Sequence, residues 1–187
     1  MDRGDSERHG APEEYRTDRS GPPGAALVVR SLSPTEAATR LDELVALVLR
    51  SKASWGYDAA FMSRFAATSV TRELVGAHRV CLVALLGERP VGLAVADDEG
   101  SRAWLEDLWV DPPSFGCGVG RALFDAILDV ARSWGREVLE LESDPHAEGF
   151  YLAMGARRTG TRPSSLAPDR PLPLLRYDLE VARQPPG

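Results

Sequence analysis

The stretch from Trp104 to Leu123, WLEDLWVDPPSFGCGVGRAL, constrains this chain more than any other part of it. Trp104 to Val110 is an apolar, aromatic run of strand composition, with Glu106 and Asp107 set inside it. Asp111 to Phe115 holds two prolines and breaks the strand off. Gly116, Gly118 and Gly120 then take every second position, and a helix-patterned segment begins directly behind them. Glycines let the backbone pass close to a ligand and aim consecutive amides at it. A helix starting at the same spot adds the positive end of its dipole. The segment predicts a phosphate or pyrophosphate site made of main chain. The same glycines also suit a turn that only lets a helix pack tightly on a sheet.

Two better-known glycine patterns do not fit. A dinucleotide fingerprint needs G-x-G-x-x-G early in a βαβ unit. Counting from Gly116 places Arg121 at the last glycine, and counting from Gly118 places Leu123 there. A nucleoside triphosphate loop needs Gly-Lys before Ser or Thr, and the only lysine of the chain is the distant Lys52.

The remaining sequence gives an element order. Residues 1–24 are polar, rich in Gly and Pro and without periodicity, and read as a disordered leader. Ala25 to Leu32 is β-like, and Ser33-Pro34-Thr35-Glu36 starts a helix as a capping box with Pro in its first turn. Leu41, Leu44, Val45, Val48 and Leu49 continue that helix; Ala59 to Ala67 form a second, and Glu73 to Ala77 a short third piece. VCLVALL and VGLAVA form a hairpin, which the Ala103–Val110 strand extends. Behind the glycines, Val119, Leu123, Ile127, Val130, Ala131 and Trp134 share one helix face. VLELE is the next strand, and Asp144-Pro145 opens a helix with Asp as cap. Ala156 to Thr161 and Leu174 to Val181 are the last strands, around a Pro-rich loop.

Gly118 and Gly120, with Arg121 and Ala122 opening the helix, resemble the acetyl-CoA loop of the GNAT N-acetyltransferase superfamily, written Arg/Gln-x-x-Gly-x-Gly/Ala. Phe115 stands at the Arg/Gln position, a departure that removes one side-chain donor and predicts weaker cofactor binding. DPHAEGFYLAMGARRTG resembles the family's C-terminal signature, an Asn-containing turn opening a helix that bears Phe-Tyr and ends in Gly-Phe. Here His146 stands near the Asn position and Ala156 replaces the Phe. SKASWGYDAAF and APDRPLPLL resemble segments of an uncharacterised bacterial subgroup. The element order matches over about residues 26–182. The resemblance implies an α+β fold with a central mixed, mostly antiparallel sheet of six to seven strands and about four helices. It gives one domain over residues 25–182, with residues 183–187 as a tail.

The resemblance also implies direct acetyl transfer from acetyl-CoA to a primary amine, without metal, in a ternary complex that needs no protein nucleophile. Glu106 is the expected general base, its pKa raised by apolar neighbours; Asp107 is second, since strand alternation puts the two on opposite faces. Tyr151 matches the tyrosine whose hydroxyl lies near the CoA sulfur, and is the expected acid; a core tyrosine beside Phe150 is the other reading. Leu108, Trp109 and Val110 are expected to hold the pantetheine arm by strand-like pairing. Phe115, Gly116, Cys117, Gly118, Val119, Gly120 and Arg121 are expected around the pyrophosphate, with His146 and Phe150 also beside the cofactor. Trp55, Tyr57 and Phe61 either wall an acceptor pocket attractive to ammonium groups or pack two helices together.

Composition narrows the partners. A 43% hydrophobic content over 187 residues supports one proper core. A net charge of −6 argues against nucleic acid. Cys81 and Cys117 form neither a disulfide framework nor a zinc pattern. No run has the length of a membrane span and no signal-peptide core is present, so a cytoplasmic location is expected. The expected acceptor is a small-molecule amine, with a protein acceptor or an inactive acyl-CoA sensor as alternatives; a homodimer is in keeping with the family.

Overall fold

The long apolar runs become sheet strands. β1 (Tyr15–Ser20), β2 (Ala26–Ser31), β3 (Arg79–Leu86), β4 (Arg89–Asp98), β5 (Ala103–Val110), β6 (Val138–Glu142), β7 (Arg157–Pro163) and β8 (Pro171–Asp178) join in the order β1-β2-β3-β4-β5-β6-β8-β7. Every neighbouring pair is antiparallel except β5 and β6. Seven of these strands lie in the expected domain. The eighth, β1, falls inside the stretch read as a disordered leader and pairs with β2. The computed structural model describes residues 15–20, 26–69 and 74–179; the rest of the leader and the tail lie outside them.

Five helices flank the sheet: α1 (Pro34–Thr39), α2 (Leu41–Ala53), α3 (Ala59–Ser69), α4 (Val119–Ser133) and α5 (Glu148–Ala153). The capping box holds: Ser33 Oγ accepts from the Glu36 amide, and the Glu36 carboxylate accepts from the Ser33 amide. The single helix expected behind it is two, because Arg40 leaves helical dihedrals at φ −97°, ψ 3°. The short piece expected at Glu73–Ala77 is not helical over residues 74–77, where Gly76 bridges to Arg79; Glu73 lies outside the described residues.

Helices cover both faces, which explains why β3 reads as an unbroken apolar run. Val80, Leu82 and Ala84 face the α4 and α5 layer, while Cys81, Val83 and Leu85 face α2 and α3. The α4 stripe buries Leu123, Phe124 and Ile127 completely, each worth about 1.5–3 kcal/mol. Among the described residues no helix is long and apolar enough to cross a membrane.

Two irregularities shape the middle of the sheet. β5 and β6 pair only through Ala103–Leu105 against Leu139–Leu141; β5 then runs on to Val110 while β6 ends at Glu142. Beyond Leu105 the parallel edge of β5 has no β6 partner. On the other edge of β5, Val95 faces Asp107 but Ala96 faces Leu105, so Glu106 is an extra residue, a β-bulge.

Candidate active site

The turn ahead of α4 is built as its glycines suggest. Gly118 is the N-cap residue of α4 with φ 83°, a left-handed conformation that glycine adopts without strain, and no side chain caps this end. The Phe115, Cys117 and Ala122 amides bond to the carbonyls of Pro112, Ser114 and Gly118. Among the described residues, the amides of Gly118, Val119, Gly120 and Arg121 find no acceptor. Four donors and the positive helix end face one spot. At Gly120 the fit is also close: a Cβ there would meet the Phe150 ring at 3.3 Å, so that ring would have to give by a few tenths of an ångström. Phe150 in turn packs edge-on against Phe124 and Tyr151, so α5 is held tightly against the start of α4.

The other expected donor-side residues divide. Val119 is buried and holds α4 to the sheet, so only its main chain faces outward. Leu108 and Val110 pack partly on the α4 layer, whereas Trp109 packs on the α2–α3 side. Phe115, Gly116, Cys117 and Arg121 are exposed, and Arg121 makes no ion pair among the described residues.

Glu106 and Asp107 do not part to opposite faces, as alternation predicts. The bulge breaks the alternation, and both line one open cavity of about 540 Å³ between α3, β5 and the β7–β8 connection. Trp104 Nε1 donates to Glu106 at 3.0 Å and Trp109 Nε1 to Asp107 at 2.8 Å. Asp107 also reaches inward electrostatically. Burial, with Asp107 adding to it, pushes the Cys81 thiol up to about 12. Burial and the same carboxylate raise the Tyr151 phenol above its usual value. Tyr151 is buried on α5, packed edge-on against Phe124 and Phe150.

The α2–α3 side holds what the sequence did not reveal. Lys52 on α2 is buried, and its Nζ lies 2.5 Å from Asp144, just past the end of β6. Five rings enclose that ammonium: Tyr57 at 4.8 Å, Trp55 at 4.9 Å, Phe65 at 5.2 Å, Phe61 at 5.4 Å and Trp109 at 5.6 Å. Trp55, Tyr57 and Phe61 thus do face a cation, but it is the chain's own lysine. Tyr57 Oη donates to Asp144, the His146 amide donates to it at 3.0 Å, and Arg170 Nη2 donates to both Asp144 and Tyr57. Arg170, from the Pro-rich loop, thus folds inward onto Asp144 and Tyr57. Asp144, expected to cap α5, forms a turn before it, and the helix starts at Glu148 with Ala147 as N-cap. His146 is exposed, its ring 5.8 Å from that of Trp55.

Charge in this hub follows from its contacts. Burial lowers the Lys52 pKa, Asp144 opposes that shift and Arg170 reinforces it. Burial alone would raise Asp144, but Lys52, the His146 amide and Arg170 hold it below the ordinary carboxylate value. The sequence signals were the aromatic residues Trp55, Tyr57 and Phe61 and a single lysine among many arginines. Among the described residues no group of three or more His, Cys, Asp or Glu side chains could hold a metal.

The fold is similar to that of PaiA N-acetyltransferase from Thermoplasma acidophilum in complex with coenzyme A, with TM-score 0.67 and 13% identity over 82% of this chain and 99% of that chain. It is also similar to an aminoglycoside 6'-N-acetyltransferase complexed with coenzyme A, with TM-score 0.64 and 18% identity over 84% and 99%. A third likeness is to the ribosomal-protein-S18-alanine N-acetyltransferase from Escherichia coli, with TM-score 0.63 and 19% identity over 86% and 99%. At these identities the likeness shows the fold. A comparison with curated proteins finds no match. Residues 44–156, more than half of the chain, match the model of the acetyltransferase (GNAT) family. The chain therefore belongs to that family and is an acyltransferase.

Proposed function

We propose that this acyltransferase moves an acetyl group from acetyl-CoA to the primary amine of a small molecule, by direct attack in a ternary complex. One observation carries the reading: the unpartnered amides of Gly118–Arg121 follow on β5, the strand that bears Glu106 and Asp107, and Asp107 is close enough to Tyr151 to raise its phenol pKa. Coenzyme A suits this stretch on the protein's own features. The amides of Gly118 to Arg121 would take the pyrophosphate, with Phe115, Gly116 and Cys117 at its margin. The β5 edge at Leu108, Trp109 and Val110 would pair with the pantetheine amides beyond the last β6 partner. Phe150, against Gly120 and Phe124, would set how closely α5 approaches this end of α4. His146 sits farther out, on the acceptor side.

Acetyl-CoA supplies an activated acyl group as a thioester. Glu106, directly or through a water, takes the proton of the acceptor ammonium, and the freed nitrogen attacks the carbonyl carbon. The C–N bond forms, the C–S bond breaks, the Tyr151 hydroxyl donates its hydrogen to the departing sulfur, and the surplus proton of the new amide nitrogen restores that hydroxyl. Its raised pKa keeps that phenol protonated throughout the physiological range. A small acceptor is supported by the cavity of about 540 Å³, which lies in the range of small-ligand pockets. Leu166 and Ala167 of the β7–β8 connection also pack on the α2–α3 layer and narrow this side. Relatives in fold are named for an aminoglycoside and for a protein alanine, so the fold alone does not choose.

Turnover of acetyl-CoA against a panel of amines, followed by thiol release, tests the proposal. Amine-dependent release that drops roughly 10²-fold in E106Q is expected. Binding of coenzyme A without release from any amine would favour a sensor; thermal protection by NAD and not by coenzyme A would sink the cofactor assignment.

A further inference from the structure

Strand β5 carries two indole–carboxylate pairs, Trp104 with Glu106 and Trp109 with Asp107, each pair two residues apart. Trp104 sits where the sheet is paired on both edges, facing Asp97 of β4 and Glu140 of β6. The Arg102 guanidinium lies 4.9 Å from the Trp104 ring centroid and is itself held by Glu99 and Glu140. Two residues on, the frame changes. The β4 register passes over Glu106, and the β6 register ends at Leu105. A bulge disrupts the ladder locally, so strand pairing directs its side chain less firmly. The Trp104 N–H, donated to Glu106 Oε2 at 3.0 Å, ties this bulged carboxylate to the firmly paired part of the strand.

An indole suits the task of holding a base. It donates one N–H and accepts nothing, so it fixes a carboxylate oxygen without adding a positive charge that would depress its basicity further. Trp104 and Glu106 line the same cavity, so the bond is made at the cavity wall. The second pair belongs to a different neighbourhood. The Trp109 ring packs on Trp55 and Phe65 and lies 5.6 Å from Lys52 Nζ, which makes it part of the charged hub.

We infer that Trp104 is a positioning residue of the transfer reaction, acting through Glu106 by holding its carboxylate at the cavity wall. This rests on the acetyl transfer proposed above, with Glu106 as base.

Two replacements separate the bond from the ring. W104F removes the N–H with part of the ring; β-(3-benzothienyl)alanine at position 104 keeps the fused ring and puts sulfur in place of the N–H. Carbon-13 NMR of the glutamate side-chain carboxyls follows the titration of Glu106, whose signal is the one missing in E106Q. Thiol release from acetyl-CoA, with an amine panel that includes isopentylamine, phenethylamine and 2-aminoethanol, gives kcat/KM against pH. Glu99, Arg102, Asp107, Glu142 and Arg162 face the same cavity, and Lys52 stands behind Phe65. These groups are common to the proteins compared, so the difference between their curves belongs to the indole bond.

An N–H donated to a carboxylate favours its charged form. Without that donor Glu106 keeps its proton to higher pH. Its NMR titration and the acidic limb of kcat/KM are both expected to rise by roughly one pH unit. Below the limb kcat/KM then falls roughly tenfold, and above it much less. W109F, which takes the equivalent bond from Asp107, is expected to move the limb less than W104F does. A Glu106 titration unmoved by both replacements overturns the inference, whatever happens to turnover. A limb that follows W109F and not W104F also overturns it, making Asp107 the base and leaving acetyl transfer in place. So does a Glu106 titration that rises while the limb stays fixed, because Glu106 would then not be the base. No thiol release by the wild type with any amine of the panel overturns the transfer reading and this inference together.

Discussion

The two sides of the candidate site are made of different material. The proposed donor side is main chain from one continuous stretch, Phe115 to Arg121. The proposed acceptor side is bordered by side chains from distant segments, Lys52, Tyr57, Asp144 and Arg170, meeting at one carboxylate. A site of amides tolerates substitution wherever backbone geometry survives. A hub of charges in a partly dry place depends on every partner, because removing one strands another.

The largest effect expected from that contrast is Asp144→Ala. It leaves Lys52 buried without its counter-ion, and breaking such a pair costs about 3–5 kcal/mol. Lys52→Met keeps most of the volume, retains Arg170 and Tyr57 on Asp144, and is expected to cost much less. Urea unfolding of both variants decides it. Equal losses would mean that the hub acts through packing and not through charge.

Tyr151→Phe comes next and touches neither scaffold. The ring stays packed against Phe124 and Phe150 while the hydroxyl goes. A fall in kcat of roughly 10²-fold with little change in melting temperature is expected. A matching fall in stability would instead place that hydroxyl among the structural groups.

Gly118→Ala probes the main-chain side. At φ 83° any Cβ is strained by about 1–2 kcal/mol, although nothing lies within 4 Å of where it would sit. The turn relieves that strain by moving the amides out of line. Coenzyme A affinity is expected to drop about tenfold by calorimetry, which corresponds to 1.4 kcal/mol. Unchanged affinity would show that these amides do not form the cradle.

The same division explains what the sequence could tell. The strands β3 to β5, the α4 stripe and the glycine turn were legible because each is written locally, in a period of two, a period near 3.6 or a run of glycines. The bulge at Glu106 has no local signature, since it arises from how β4 and β5 pair, and it reversed the expectation that Glu106 and Asp107 part. Asp144-Pro145 looked like a helix cap, but the carboxylate serves Lys52, 92 residues away, and α5 starts later. Arg170 and Tyr57 are 113 residues apart. No periodicity reports contacts at such separations; the aromatic residues Trp55, Tyr57 and Phe61 and the lone lysine were the traces of the hub.

Acid should act on the hub and leave the cradle's amides alone, the smallest of these effects and a gradual one. Asp144 is held below its ordinary value of 3.8 in the folded protein, so in acid the unfolded chain binds its proton first. The stability that this carboxylate contributes is complete above the ordinary value and drains as pH falls through the folded one. The stability gap between the wild type and Asp144→Asn is therefore expected to be constant from pH 7 down to about 4 and to narrow below it. Denaturant titrations at several pH values measure it directly. A gap that persists undiminished at the lowest pH where both still fold would mean that Lys52 does not depend on a charged Asp144, and the contrast between an ionic acceptor side and a main-chain donor side would lose its electrostatic half.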